Sequence, residues 1–217
     1  MVLMAGRPGE RTGGLPRGLR PAVFVAALLP LAWLLYQALW GDLGANPIEE
    51  IIHQTGLWGL RLLLITLALT PLRRLTGWGG WLRLRRMLGL FAFFYATLHL
   101  LSWVVLDQFF DWPMMGEEIV KHPYITVGLL AWLMLVPLAV TSTQGMMRRL
   151  GRRWKQLHSL VYLIAVLAVL HFVWLVKADV REPLIYLALL ALLLLLRLDY
   201  RFGARLSSSR SRYSTQR

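Results

Sequence analysis

Apolar residues fill six long runs of this chain, and charged residues are almost confined to the stretches between them. The runs are 21–40, 56–72, 87–106, 123–143, 157–176 and 183–198. A bilayer core about 30 Å thick is crossed by roughly 20 helical residues rising 1.5 Å each. The last run is the shortest, but its LALLALLLLLRL (187–198) is nearly pure Leu and Ala. Lipid offers no hydrogen bonds, so a spanning segment satisfies its backbone internally, as a helix. The pattern therefore predicts an all-α integral membrane protein, a bundle of six transmembrane helices. Pro30 and Pro137 lie inside runs and predict kinks. With no Gly/Ser linker in between, the organisation read is a tail (1–20), one membrane domain (21–198) and a second tail (199–217).

Composition supports this reading. Of 217 residues, 57% are hydrophobic and 16% charged, against about 25% charged in soluble domains. The net charge of +13 raises nucleic-acid binding as a question, and its distribution answers it. Arg and Lys gather in the N-terminal tail, the 73–86 loop, the 144–156 loop and the C-terminal end, which together hold 20 of the 24. The alternate loops carry Asp42, Glu49, Glu50, Asp107, Asp111, Glu117 and Glu118 instead. The positive-inside rule then puts both termini in the cytoplasm, N-in and C-in. Topology accounts for the basic charge, and nucleic acid is excluded as a partner. The ten Trp residues mostly fall near span ends, as an aromatic belt does. The first run is long and has no small-residue cleavage site, so it reads as a span and not as a signal peptide.

The chain has no Cys, which removes disulfides, thiolate metal sites, iron–sulfur clusters and thioether-linked haem. It has no GxGxxG after a strand, no Walker sequence, no HExxH and no Ser/His/Asp pattern. No soluble segment is long enough to fold around a nicotinamide or FAD. If the membrane domain moves electrons, donor and acceptor are other molecules. The carboxylate pairs at 49–50 and 117–118 read as acidic loop composition.

An ionisable group inside a membrane is costly and points to function. His99, His158 and His171 fall in predicted spans, whereas His53 and His122 lie in or beside outer loops and read as solvated interfacial residues. His99 stands 12 residues after Met87, and His171 14 residues after Leu157. Both spans run outward, so the two lie about 18 and 21 Å from the cytoplasmic side. Two imidazoles at matched height on different helices suit bis-histidine ligation of a b-type haem, with the histidines serving as ligands to its iron. The bland alternative is a hydrogen bond from each His to a neighbouring helix. His158 lies near the cytoplasmic surface, 13 residues before His171. It is a candidate ligand for a second, inner haem, although the matching positions on the third span are Arg86 and Met87, and an ideal helix sets residues 13 apart roughly 140° out of phase. A flavin or quinone site, or an interfacial cap, are its other readings. Arg61 lies in the second span near the height of His99 and His171. It either pairs with a haem propionate, as a bidentate guanidinium does, or snorkels to the interface.

Four stretches carry a resemblance: LGANPIEEIIHQTG (43–56), RRMLGLFAFFYATLHL (85–100), HPYITVGLLAWLMLVPLAVTSTQ (122–144) and LGRRWKQLHSLVYLIAVLAVLHFVW (150–174). With His on the third and fifth spans, the chain resembles the ferric-reductase-like transmembrane superfamily. More closely it resembles the MsrQ (YedZ) family, the haem-binding membrane subunits of the periplasmic protein-methionine-sulfoxide reductase system. The resemblance covers about 21–198. It implies b-type haem, one or two per chain, and an associated FMN. It also implies electrons taken from the quinone pool or a cytosolic flavin reductase. These pass across the bacterial inner membrane to a periplasmic molybdenum-cofactor reductase that repairs oxidised methionines. His99, His158 and His171 fall on the family's haem-ligand motifs. Compared with NADPH oxidases, the chain lacks the inner His of the third span and the dehydrogenase domain. On this reading it is an electron-transfer subunit and not an enzyme by itself. The acidic outer loops suit a basic patch on the acceptor. The basic loop 144–156 suits an anionic flavin or a cytosolic reductase, or serves topology alone. The rival readings are a stand-alone ferric or quinone reductase of the same superfamily, and a small transporter or assembly factor. Transporters often carry internal repeats, and none is evident in the sequence.

Overall fold

A computed structural model of the chain describes residues 16–41, 43–176 and 179–214, with side chains described as far as Arg197. Of the two basic tails, residues 1–15 and the side chains of 199–217 lie outside the described residues. Every regular element among the described residues is a helix. These are α1 (Leu19–Trp40), α2 (Pro47–Thr76), α3 (Gly80–Ser102), α4 (Trp112–Lys121), α5 (Pro123–Val140), α6 (Gln144–Leu150), α7 (Arg152–His158), α8 (Val161–Leu175) and α9 (Arg181–Ser214). A π-helical turn, Trp103–Asp107, continues α3.

Five helical segments are long and apolar enough to cross a bilayer: α1, α2, α3 with its π turn, α5, and α7 with α8. The sixth apolar run, 183–198, falls within α9. Large apolar side chains point outward along α1 and α9, including Leu29, Trp33, Leu39, Ile185, Leu192 and Leu195. In water such a surface would drive association; lipid tails solvate it. The chain is a multi-span, all-α membrane bundle.

Two helical hairpins form the centre. α2 packs along α3, and α5 along α8. Their shared core includes Leu63, Leu67, Ala92, Tyr95, Ile164 and Ala165, all nearly inaccessible. Small residues bring the backbones close. A Cβ on Gly59 would stand 3.2 Å from the Ala96 nitrogen, so glycine sets the α2–α3 approach. Trp132 Nε1 donates to Thr97 Oγ1 at 3.0 Å and ties α5 to α3. α1 is held by Tyr95 at the turn containing Pro30, which has no N–H to give. The Tyr95 hydroxyl accepts the Leu31 N–H at 3.1 Å and donates to the Ala27 carbonyl at 2.8 Å.

Two stretches read as loops contain helices. α4 occupies most of 107–122. Asp111 caps it, accepting from the Met114 N–H at 3.0 Å. Met115 packs inward, while Glu117 and Lys121 pair in water at 2.7 Å. Ten residues cannot span a bilayer, so the element left no apolar run in the sequence. Phe109 and Phe110, just before it, take left-handed backbone conformations, with φ of 46° and 64°. In 144–156 lie α6, capped by the Thr143 hydroxyl, and the start of α7.

Candidate functional site

The two histidines that the sequence sets at equal height lie side by side in the fold. The ring centroids of His99, on α3, and His171, on α8, are 6.0 Å apart with planes at 74°. Each ring is anchored in the same way. His99 Nδ1 lies 2.8 Å from the Ile52 carbonyl of α2, and His171 Nδ1 lies 2.7 Å from the Tyr124 carbonyl of α5. A carbonyl oxygen only accepts, so Nδ1 carries the proton on both rings. Nε2 is left with a bare lone pair, the form in which imidazole binds a metal.

The helical neighbours explain how those carbonyls come to be available. A helical side chain leans over the turn before it, so the residue four positions on tends to cover a given carbonyl. Those residues are Gly56 and Gly128. A Cβ on Gly56 would lie 2.9 Å from His99 Nδ1, and one on Gly128 would lie 2.7 Å from His171 Nδ1. Both distances are below normal contact, so the glycines make the notches in which the rings sit. The chain builds this arrangement twice, each time with carbonyl and histidine 47 positions apart. The signal was present as Gly56–His99 and Gly128–His171, two equal spacings, but helical packing alone gives them meaning.

Between the hairpins is a cavity of about 1190 Å3, lined by both histidines. Its walls are mostly apolar, including Leu60, Leu63, Ala92, Ala96, Leu135 and Ile164. One end is polar, with Asn46, Glu49, Glu50, His53, Asp107 and Glu118. This donor set suits a haem iron. Two imidazoles with uncommitted Nε2 atoms beside one large, mostly apolar cavity would suit such an iron. The cavity also exceeds the 300–1,000 Å3 usual for small-ligand sites. Among the described residues no group of three or more His, Asp or Glu is arranged around a metal position, so the pair is the relevant feature.

The other predicted site residues lie elsewhere. His158 is not part of the cavity lining. It ends α7, where its ring stacks on Trp154 at 3.9 Å between centroids. Its Nδ1 is 3.1 Å from the Trp154 carbonyl, and its Nε2 is 3.5 Å from Ser142 Oγ. The helix is irregular between it and His171: α7 stops at His158 and α8 starts at Val161, so an ideal-helix phase does not apply across the join. Arg61 also stands apart from the cavity lining. It turns to α9, where Nε donates to Tyr186 Oη at 2.8 Å and Nη2 lies 3.7 Å from Glu182 Oε1. Its guanidinium also sits 4.9 Å from the Trp58 ring. His53, read from sequence as solvated, instead lines the cavity and meets Phe172 at 6.1 Å between ring centroids.

Comparison with known proteins agrees with this geometry. The family described as ferric reductase like transmembrane component matches residues 55–169, which contain both histidine arms apart from Ile52 and His171 themselves. The chain is 57% identical over 197 residues to a protein of Xanthomonas campestris pv. campestris (strain 8004), covering 88% of this chain and 90% of that one. It is 61% identical over 180 residues to a protein of Rhodospirillum rubrum, covering 82% and 86%. A protein of Xanthomonas axonopodis pv. citri is 56% identical over 194 residues, covering 87% and 89%. Each of the three is named protein-methionine-sulfoxide reductase heme-binding subunit MsrQ.

Proposed function

The chain belongs to the MsrQ family, within the ferric-reductase-like transmembrane superfamily, and from that premise we propose that it is the haem b electron-transfer subunit of a protein-methionine-sulfoxide reductase system. The observation that carries the proposal is the pair of carbonyl-anchored imidazoles, His99 and His171, 6.0 Å apart beside one cavity.

The division of labour is as follows. His99 and His171 would hold the iron through Nε2, and the Ile52 and Tyr124 carbonyls fix the rings and their tautomer. The apolar walls keep water away from the ring edges. When bound, haem supplies one-electron redox chemistry. With both imidazoles given to the iron, the chain would supply ligation for electron transfer and not a site for converting a substrate at the metal. The subunit is therefore not an enzyme by itself.

We further propose six spans in the bacterial inner membrane, with both termini cytoplasmic; the alternation of Arg and Lys supports this. The iron site then lies in the outer half. The donor is the quinone pool or a cytosolic flavin reductase. The acceptor is a periplasmic molybdenum-cofactor catalytic subunit, for which the acidic outer loops supply a complementary surface. An FMN associated with the chain is part of the same proposal. A second, inner haem on His158 is a further part, supported by that residue's position near the cytoplasmic end of the bundle. Arg61 as a propionate partner has less support than Arg61 as a tie between α2 and α9, because of its bond to Tyr186.

The test is a reduced-minus-oxidised absorption spectrum of the purified chain, combined with quinol-driven reduction of the catalytic subunit. A six-coordinate b-type spectrum and electron delivery support the proposal. A colourless protein after haem supplementation would overturn it in favour of a transporter or assembly factor. Direct reduction of ferric chelates with no partner would favour a stand-alone reductase.

A further inference from the structure

Haem carries two carboxylates, and an anion set in a cavity needs water or a donor beside it. The cavity between His99 and His171 has one polar end, and most of the ionisable groups there are acids: Glu49, Glu50, Asp107 and Glu118. These repel a propionate. No Arg or Lys is among the lining residues, and Arg61 is engaged with Tyr186 on α9. Besides the two iron-ligand candidates, His53 is the only basic side chain in the lining.

The surroundings of His53 leave it available. Glu49 and Glu50 precede it by about one turn of α2, but their side chains have neutral partners. Asn46 Nδ2 donates to Glu49, and Gln54 Nε2 donates to Glu50, each at 2.8 Å. His53 is half-buried and makes no hydrogen bond to any described residue; its one ring contact is Phe172. Its position is also fixed relative to the iron site. Ile52, the residue before it, gives the carbonyl that anchors His99, and Phe172 follows His171 in sequence. A half-buried imidazole with an unused N–H donor, at the polar end of an otherwise acidic cavity, is a site for an anion.

We propose that His53 donates a hydrogen bond to a haem propionate carboxylate and offsets the repulsion of the acidic rim. The inference rests on the haem reading of the cavity and adds a residue to it that is not an iron ligand.

The experiment compares the full-length purified holoprotein with His53→Phe, which keeps an aromatic ring beside Phe172 but has no donor, and with His53→Lys, which restores one. Three readouts are taken: the reduced-minus-oxidised spectrum, the propionate bending band in resonance Raman, and the rate of haem loss to an excess scavenger. In His53→Phe the spectrum stays six-coordinate, the propionate band shifts, and haem is lost about tenfold faster. His53→Lys recovers most of the retention. An unshifted band with an unchanged loss rate in His53→Phe would overturn the inference while leaving the iron site intact. So would a loss rate that His53→Lys does not improve, since that marks a packing role. A wild type without a six-coordinate spectrum would instead defeat the haem reading itself.

Discussion

The His99 and His171 rings lie 6.0 Å apart at 74°, although 72 positions separate them in the chain. What holds them there is a pair of matching arms, each a helix carbonyl uncovered by a glycine and taken up by Nδ1 of the facing helix. Neither ring can turn without giving up that bond. A buried donor left without a partner costs roughly 1–3 kcal/mol, which keeps each Nε2 available to a metal.

On the proposed function, replacing either ring removes an iron ligand. His99→Ala and His171→Ala are each expected to abolish the six-coordinate b-type absorption spectrum of the purified protein, while far-ultraviolet circular dichroism keeps its helical form. Retention of the wild-type spectrum in either variant would show that the iron is held elsewhere.

The glycines make a sharper test, because they touch no ligand atom chemically. Gly56→Ala or Gly128→Ala puts a methyl 2.9 or 2.7 Å from the ring nitrogen, and forced repacking of that kind costs about 1–3 kcal/mol. Haem retention should fall in both. Gly89→Ala is the control: its Cβ would meet Thr66 at an ordinary 3.7 Å, and mid-helix Gly to Ala is worth up to about 1 kcal/mol of stability. Equal haem retention in all three variants would show that the notches are incidental.

Tyr95→Phe deletes one hydroxyl and leaves both the Leu31 N–H and the Ala27 carbonyl without it. Membrane-embedded hydrogen bonds of this kind are worth about 0.6 kcal/mol on average and up to about 2. Thermal unfolding in detergent should start earlier, and hydrogen exchange should rise in α1 around Leu31 before it rises in α2 or α3. The iron spectrum should be unchanged.

Arg61→Gln separates two roles for one residue. The bond to Tyr186 and the partly exposed pair with Glu182 join α2 to α9, and loss of such a surface pair costs about 1 kcal/mol or less. The variant should unfold slightly earlier and bind haem as the wild type does. If it loses haem instead, Arg61 reaches the propionates after all.

His158→Ala probes the cytoplasmic end. It removes the stack on Trp154, the hydrogen bond to the Trp154 carbonyl and the contact with Ser142, none of them at the His99–His171 cavity, so the signal from that site should persist in full. A reduction of the haem-to-protein ratio by half would establish a second, inner haem.

The one-dimensional pattern of this chain determined a great deal, because lipid is an unforgiving solvent. Twenty apolar residues in a row have few alternatives to a helix, so spanning helices are local properties that can be read off in order, and five of the described helices are long and apolar enough to cross. The heights of His99 and His171 follow from helical rise alone. What sequence reading missed depends on which helices touch. α4 escaped notice because its burial rests on one face, at Met115, and not on an apolar run. Arg61 was placed on the second span, but a position along a helix says nothing about direction, and the side chain bonds Tyr186 and is not part of the cavity lining. His53 was read as a solvated loop residue because its wall of the cavity is completed by Phe172, far along the chain. The equal spacings of Gly56 to His99 and Gly128 to His171 are written in the sequence, yet a spacing becomes a hydrogen bond only when two helices pack face to face. Local energetics decided the helices and their ends; contact between distant segments decided the site.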